Sequence, residues 1–348
     1  MKNGISANKL GWLYAFVHFA VETACFFYIF SNIQIGIYGW IVALLYDAMA
    51  FLPQNAMGLI ADKFPRAHLG VLGLLITLIA LLLPFGLISV VVLAIGNAIV
   101  HVDGAEKTLR DNAGKISPNA VFVGGGSFGV VTGRLLGVHS SELTVLIPIL
   151  LLVLSAAAIL LMTNKRITSG KQWLCQAPEV VNPSVSNSAL LVIILFAVAV
   201  RGYIGYAIPT GWSITETHLV ILFAYMGIGK ALGGFVVDWL GYRKATLISI
   251  IGALPFLLLG DQIPLVSLTG VLLYSMSMPV TVGIVYSRFN KMPGFAFGIT
   301  TIGLFLGSAP DFFIDLPNLL TQQLVVVALA TISATLIFIC TKKEIKND

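Results

Sequence analysis

Twelve apolar runs, most of them as long as a bilayer core is thick, follow one another along the chain with very short polar connections. A hydrocarbon core about 30 Å thick takes roughly 20 apolar residues of α-helix, the element that satisfies its own backbone N–H and C=O groups in lipid. The runs lie near 10–31, 37–60, 68–84, 86–107, 116–138 and 143–163, then 188–209, 217–240, 244–260, 264–287, 292–314 and 319–341. The third and fourth are separated by little more than Pro84 and Gly86. Of the 348 residues 58% are hydrophobic and only 10% charged, against about 25% charged in soluble domains. Such a chain has too little polar surface for water, so the expected fold class is all-α transmembrane, with the lipid bilayer as solvent.

A formal net charge of +5 would suit nucleic acid, but the basic residues do not alternate with exposed aromatics. They sort by membrane side instead, as cytoplasmic connections collect Lys and Arg. With both termini inside, Lys2, Lys9, Lys63, Arg66, Lys107, Arg110 and Lys115 fall on the inner side of the first half. Lys165, Arg166 and Lys171 follow in the middle, then Arg243, Lys244, Arg288, Lys291, Lys342, Lys343 and Lys346. The outer connections carry none. A multi-pass protein of the cell (inner) membrane with both termini cytoplasmic is expected. Three cysteines in unrelated positions imply no disulfide framework. The first run is span-length and holds Glu22, unlike the short apolar core of a cleavable signal.

One substantial polar stretch, Thr163 to Ser188, sits at mid-chain with Pro178 and Pro183 opposing a long helix. It divides the chain into a bundle over 1–163, a cytoplasmic linker over 164–187 and a second bundle over 188–348. The halves echo each other. Gly58 and Asp62-Lys63 close the second run, and Gly234, Asp238, Gly241, Arg243 and Lys244 close the eighth, about half the chain later. Pro118 and Pro293 open the fifth and eleventh at nearly the same offset. An internal repeat at this spacing is typical of transporters that alternate access at the interface between halves.

These residues resemble the signature of the major facilitator superfamily, Gly-x-x-x-Asp-(Arg/Lys)-x-Gly-(Arg/Lys)-(Arg/Lys), found between the second and third spans and often echoed between the eighth and ninth. The second copy matches at Gly234, Asp238, Gly241 and Arg243, with Trp239 and Tyr242 in two basic slots; the first matches at Gly58, Asp62, Lys63 and Arg66, with Pro65 at the usual loop glycine. The resemblance implies a twelve-helix fold of two pseudo-symmetric six-helix bundles. A carboxylate at a helix end that pairs with basic residues and bridges helices in one conformation would latch a gate; Asp62, Lys63, Arg66, Asp238, Arg243 and Lys244 are the gating candidates. Gly96 to Gly104, with Asn97 and His101, followed by a glycine-rich fifth run, is similar to fosmidomycin-resistance-type exporters. Arg134 follows Gly133 where many drug antiporters carry proline.

Ionisable groups at bilayer depth cost roughly 2.5–3.5 kcal/mol for Asp, Lys or Arg, so each is a functional candidate. His18 and Glu22 are four apart, share one face of the first helix and lie near the midplane; they suit proton coupling or substrate binding, or a structural hydrogen-bonded pair. Arg201 and Lys230 either hold an anionic group of a substrate or neutralise Glu22 or Asp47. Asp47 and Arg134 line the pathway or satisfy packed neighbours. Asp103 with Lys107, and Glu106 with Arg110, form opposite-sign pairs at i, i+4, a self-neutralised inner end in which His101 lies deepest. Gly125, Gly129, Gly133 and Gly137 form a bare stripe on the fifth helix, and Gly294, Gly298, Gly303 and Gly307 repeat it on the eleventh. Both imply close helix packing and read as structural, the alternative being that they sit where the halves slide.

No Gly-x-x-x-x-Gly-Lys-(Ser/Thr) loop is present, so direct use of ATP is not expected, and no His-Glu-x-x-His spacing marks a metalloenzyme. The expected protein is no enzyme and takes no cofactor or metal. It is a monomeric secondary transporter of a small solute, coupled to protons; a non-transporting sensor or assembly protein on the same scaffold is the rival, since a fold does not fix a function.

Overall fold

The computed structural model describes residues 7–32, 39–65, 67–110, 114–167, 179–207, 212, 215–260, 262–313 and 319–342. The first half holds α1 (Ala7–Asn32), α2 (Gly39–Phe51), α3 (Gln54–Lys63), α4 (Leu69–Leu82), α5 (Leu87–Arg110), α6 (Ser117–Val138) and α7 (Leu146–Ile167). The second holds α8 (Asn187–Ala207), α9 (Glu216–Leu240), α10 (Tyr242–Thr246), α11 (Leu254–Leu259), α12 (Pro264–Ser275), α13 (Ser277–Arg288), α14 (Pro293–Ser308) and α15 (Leu319–Cys340). Apart from one isolated bridge, Val181 to Thr341, no β-pairing occurs among the described residues. Among the described residues eight helical stretches, with Tyr242–Leu259 and Pro264–Arg288 each taken as one, are long and apolar enough to cross a membrane.

Twelve spans account for these helices because three are broken. The second is α2 plus α3, interrupted at Pro53, which has no N–H to continue the ladder. The ninth is α10 and α11 joined by a π-helical turn over Leu247–Ile251. The tenth is α12 plus α13, which meet at Met276. Pro84 and Gly86 do separate the third span from the fourth, as α4 stops at Leu82 and α5 starts at Leu87. Gly241, with φ 81°, turns the chain from α9 into α10, a conformation that costs glycine nothing. Large apolar side chains such as Ile88, Leu161, Val192 and Leu259 point outward and exposed, the surface a lipid solvent requires.

The glycine stripes have separate partners. Successive α6 glycines sit on successive turns of α1: Cβ atoms at Gly125, Gly129, Gly133 and Gly137 would run into the backbones of Ala15, Phe19, Thr23 and Phe27. Matching four-residue steps keep the two helices in contact along their length, within the first half. The stripe thus fits the structural reading: it binds two helices of one bundle. The α14 stripe is divided. Gly294 and Gly298 face Gly58, Gln54 and Asn55 on α3 across the interface between halves, while Gly303 and Gly307 face Leu195 and Ala199 on α8 of their own half.

Candidate functional site

α1, α5 and α6 bring three side chains together inside the first half. His18 and Glu22 lie one turn apart on α1, with His18 Nε2 3.5 Å from Glu22 Oε1. From α5, His101 Nε2 comes within 3.3 Å of the same oxygen. The two imidazoles meet edge to face, their centroids 4.2 Å apart. All three residues are buried. Gly126 on α6 makes room, since a Cβ there would collide with the His18 ring.

Hydrogen bonding fixes the tautomers. His18 Nδ1 lies 3.0 Å from the Phe122 carbonyl, and His101 Nδ1 lies 3.0 Å from the Asn97 carbonyl one turn earlier on its own helix. A carbonyl oxygen only accepts, so each Nδ1 carries the proton and donates. In the neutral rings each Nε2 is then a lone pair facing Glu22. Three acceptor atoms converge on one small volume. Asn97 Nδ2 donates to Glu22 Oε1 at 3.3 Å and also contacts the Tyr46 hydroxyl closely. Lys230, the cation within electrostatic range of Glu22, instead donates to Ser127 Oγ at 2.9 Å. No Lys or Arg lies within ion-pair distance of Glu22 among the described residues.

Below this cluster α5 carries a buried charged ladder. Tyr14 donates to Asp103 at 2.9 Å; Lys107 lies 3.4 Å from Asp103 and 2.8 Å from Glu106, and also donates to the Pro65 carbonyl at 2.9 Å. Arg110 contacts Glu106 closely and reaches Asp62 at 3.3 Å. Both i, i+4 pairs read from the sequence are present.

The ladder ends at a contact between halves. Asp62 accepts hydrogen bonds from the N–H groups of Gly294 and Phe295, each at 2.9 Å, at the start of α14. Asp238, on α9, accepts from Ile116 at 2.8 Å and Ser117 at 3.1 Å, where α6 begins. Helix N-termini have unsatisfied donors and a positive field, so a carboxylate suits both. Asp62 also pairs with a basic residue, Arg110 at the end of α5. Lys63 is exposed and lies over the Phe64 ring at 5.5 Å, Arg243 lies 4.9 Å above Phe338, and Lys244 is exposed; Arg66 lies outside the described residues. At the opposite end, His139 Nε2 meets Glu216 at 2.9 Å and Trp40 meets Phe313 edge to face.

The remaining sequence candidates scatter. Asp47, next to Tyr46 on α2, lies within electrostatic range of Glu22. Arg134 stacks its guanidinium 5.1 Å from the Phe30 ring, a packed neighbour rather than a charged partner. Arg201 and Lys230 lie within electrostatic range of each other, and Nη1 of Arg201 is buried without a hydrogen-bond partner among the described residues. Sequence spacing found His18 with Glu22 but not the convergence with His101, and it missed Asn97 and Tyr46. Asn97 had one signal, its place one turn before His101.

No protein-family model matches the chain, and no curated protein sequence does. Solved structures match over nearly its full length. The fucose:proton symporter FucP of E. coli, in a variant form, is 13% identical, with 96% of this chain and 98% of that chain covered at a TM-score of 0.60. A bacterial homologue of the iron transporter ferroportin is 11% identical, with 96% and 99% covered at 0.61. The human organic anion transporter MFSD10 is 12% identical, with 95% and 97% covered at 0.62. Identities this low establish architecture alone, and with the two bundles and their paired carboxylate contacts they establish that this chain has the twelve-helix fold of the major facilitator transporters.

Proposed function

We propose that the chain is a secondary active transporter that moves a small solute by alternating access and couples that movement to protons at His18, Glu22 and His101. The observation that carries this reading is the convergence of three acceptor atoms on one buried point with no Lys or Arg among the described residues pairing them. Buried like that, a carboxylate and two neutral imidazoles lack a shared positive partner, and a proton is the smallest one available. The fold supports the rest: the structures it matches are transporters, and its two halves meet through contacts at both ends of the bundle.

Arg201 and Lys230, on the second half, supply the complementary charge. A guanidinium nitrogen with no hydrogen-bond partner among the described residues suits an anionic group of the solute, as a planar fork recognises carboxylate or phosphate. The Asp62 and Asp238 contacts lie on the cytoplasmic side in this reading, with both termini, in the inner membrane, and the site is complete within one chain.

A solute screen in proteoliposomes, with and without an imposed pH gradient, tests the proposal. Glu22→Gln keeps the shape and loses the charge, so it should abolish pH-driven accumulation in a protein that still folds. Undiminished accumulation in that variant removes Glu22 from the coupling step, and no pH-dependent flux of any solute removes the transporter reading.

A further inference from the structure

We infer that His18, His101 and Glu22 form a binding site for a first-row divalent transition cation. The ligating atoms of the three residues lie within 4.8 Å of one another. The two imidazole-to-carboxylate separations are 3.5 and 3.3 Å. Metal–ligand bonds near 2.0–2.2 Å place neighbouring ligand atoms about 3.0–3.5 Å apart, so both separations already have the spacing of an occupied site. The third pair, between imidazoles, lies within the same 4.8 Å.

Chemistry beyond the three atoms points the same way. A metal-bound histidine uses one ring nitrogen and donates the other N–H to a carbonyl or carboxylate that fixes its tautomer and aim. Both histidines here do this, through the carbonyls of Phe122 and Asn97. Asn97 also holds the carboxylate through Nδ2. Asp47 on α2 and Lys230 on α9 both lie within electrostatic range of Glu22. Lys230 is engaged with Ser127 rather than occupying the point of convergence.

The donor set defines the ligand class. Two imidazoles and one carboxylate suit Mn²⁺, Fe²⁺, Co²⁺, Ni²⁺ or Zn²⁺, and three protein ligands leave coordination positions open. Mg²⁺ and Ca²⁺ prefer all-oxygen shells. Open positions suit a cation that has to leave again, in contrast to the closed shell of a structural zinc. This site deepens the transport reading for the same residues and rests on it only for its place in the pathway.

The test uses the full chain in detergent, with any affinity tag removed and Co²⁺ as the probe, read by its visible d–d absorption. One Co²⁺ per chain with nitrogen-donor bands is expected. His18→Gln, His101→Gln and Glu22→Gln should each weaken binding by at least about tenfold, with circular dichroism confirming that the variants remain folded. His139→Gln, which removes the exposed pair with Glu216, should change nothing, and excess Mg²⁺ should not displace Co²⁺. Absence of a Co²⁺ spectrum in the folded wild type, or unchanged binding in folded His18→Gln and His101→Gln, overturns the site. Proton-driven solute flux without Co²⁺ binding leaves the transporter reading standing and removes the metal; Co²⁺ binding without any flux does the reverse.

Discussion

Asp62 and Asp238 make the same contact in opposite directions: each carboxylate crosses to the other half and accepts from two consecutive N–H groups where a helix begins, α14 for Asp62 and α6 for Asp238. Hydrogen bonds to a charged group contribute about 1.5–3 kcal/mol each. Losing the charge at one end should therefore shift the balance between closed and open forms of this end by about tenfold or more, toward open. Asp62→Asn and Asp238→Asn should act alike, and distances between spin labels at the exposed positions Phe64 and Lys244 should lengthen in both. An unchanged distance distribution in both variants would show that these bonds do not set the conformational balance.

Glycines on the two kinds of stripe should respond differently to alanine. A Cβ at Gly58 would come 2.8 Å from the Phe295 nitrogen across the halves, and one at Gly137 would come 2.8 Å from the Phe27 carbonyl within the first half. Backbone cannot move aside as a flexible side chain can, so overpacking costs about 1–3 kcal/mol at either place. Opening the halves relieves it at Gly58 but not at Gly137. Gly58→Ala should therefore favour the open form with little change in melting temperature, while Gly137→Ala should lower melting temperature in every state. Equal effects on melting would mean the halves do not separate at α3 and α14.

This difference also shows how far the sequence could be read. Spacing along one helix is local geometry, so His18 with Glu22 and Glu106 with Arg110 were legible as i, i+4 pairs. The α6 stripe announced a close neighbour, but identifying α1 needs the packing of the whole bundle. His101 reaches Glu22 from another helix, and nothing in either segment encodes that meeting. Asp62 was legible as a helix-end carboxylate that pairs with a basic residue, but Arg110 of α5 as that residue was not. Its partners across the halves are backbone N–H groups, which every residue but proline has, and their one sequence marker is Pro293 opening α14.

Arg201 should trade stability for function. Its Nη1 is buried with no hydrogen-bond partner among the described residues, and an unpaired buried polar group is a net cost. Arg201→Met keeps much of the apolar stem and removes that cost. It should raise the melting temperature by about 2 °C or more while abolishing uptake of anionic solutes. Arg201→Lys should retain part of the uptake, since it keeps the charge and loses the fork. A fall in melting temperature for Arg201→Met would reassign Arg201 to a structural pairing.

α5 joins the central cluster to the contact between halves, since His101 and Arg110 ride on one helix with Asp103, Glu106 and Lys107 buried between them. Lys107 is the cation that Asp103 and Glu106 share. Breaking a buried ion pair by removing one partner costs about 3–5 kcal/mol, because the other charge is left without compensation. Lys107→Met should accordingly destabilise the protein by that order, seen as a large drop in melting temperature in detergent. Adding Glu106→Gln would lower the uncompensated charge but release Arg110 to Asp62 alone, 3.3 Å away. The double variant should therefore recover part of the stability and hold the Asp62 end closed more firmly than the wild type. If the second substitution recovers nothing, the ladder is not an electrostatic unit, and α5 does not carry charge coupling from His101 to Asp62.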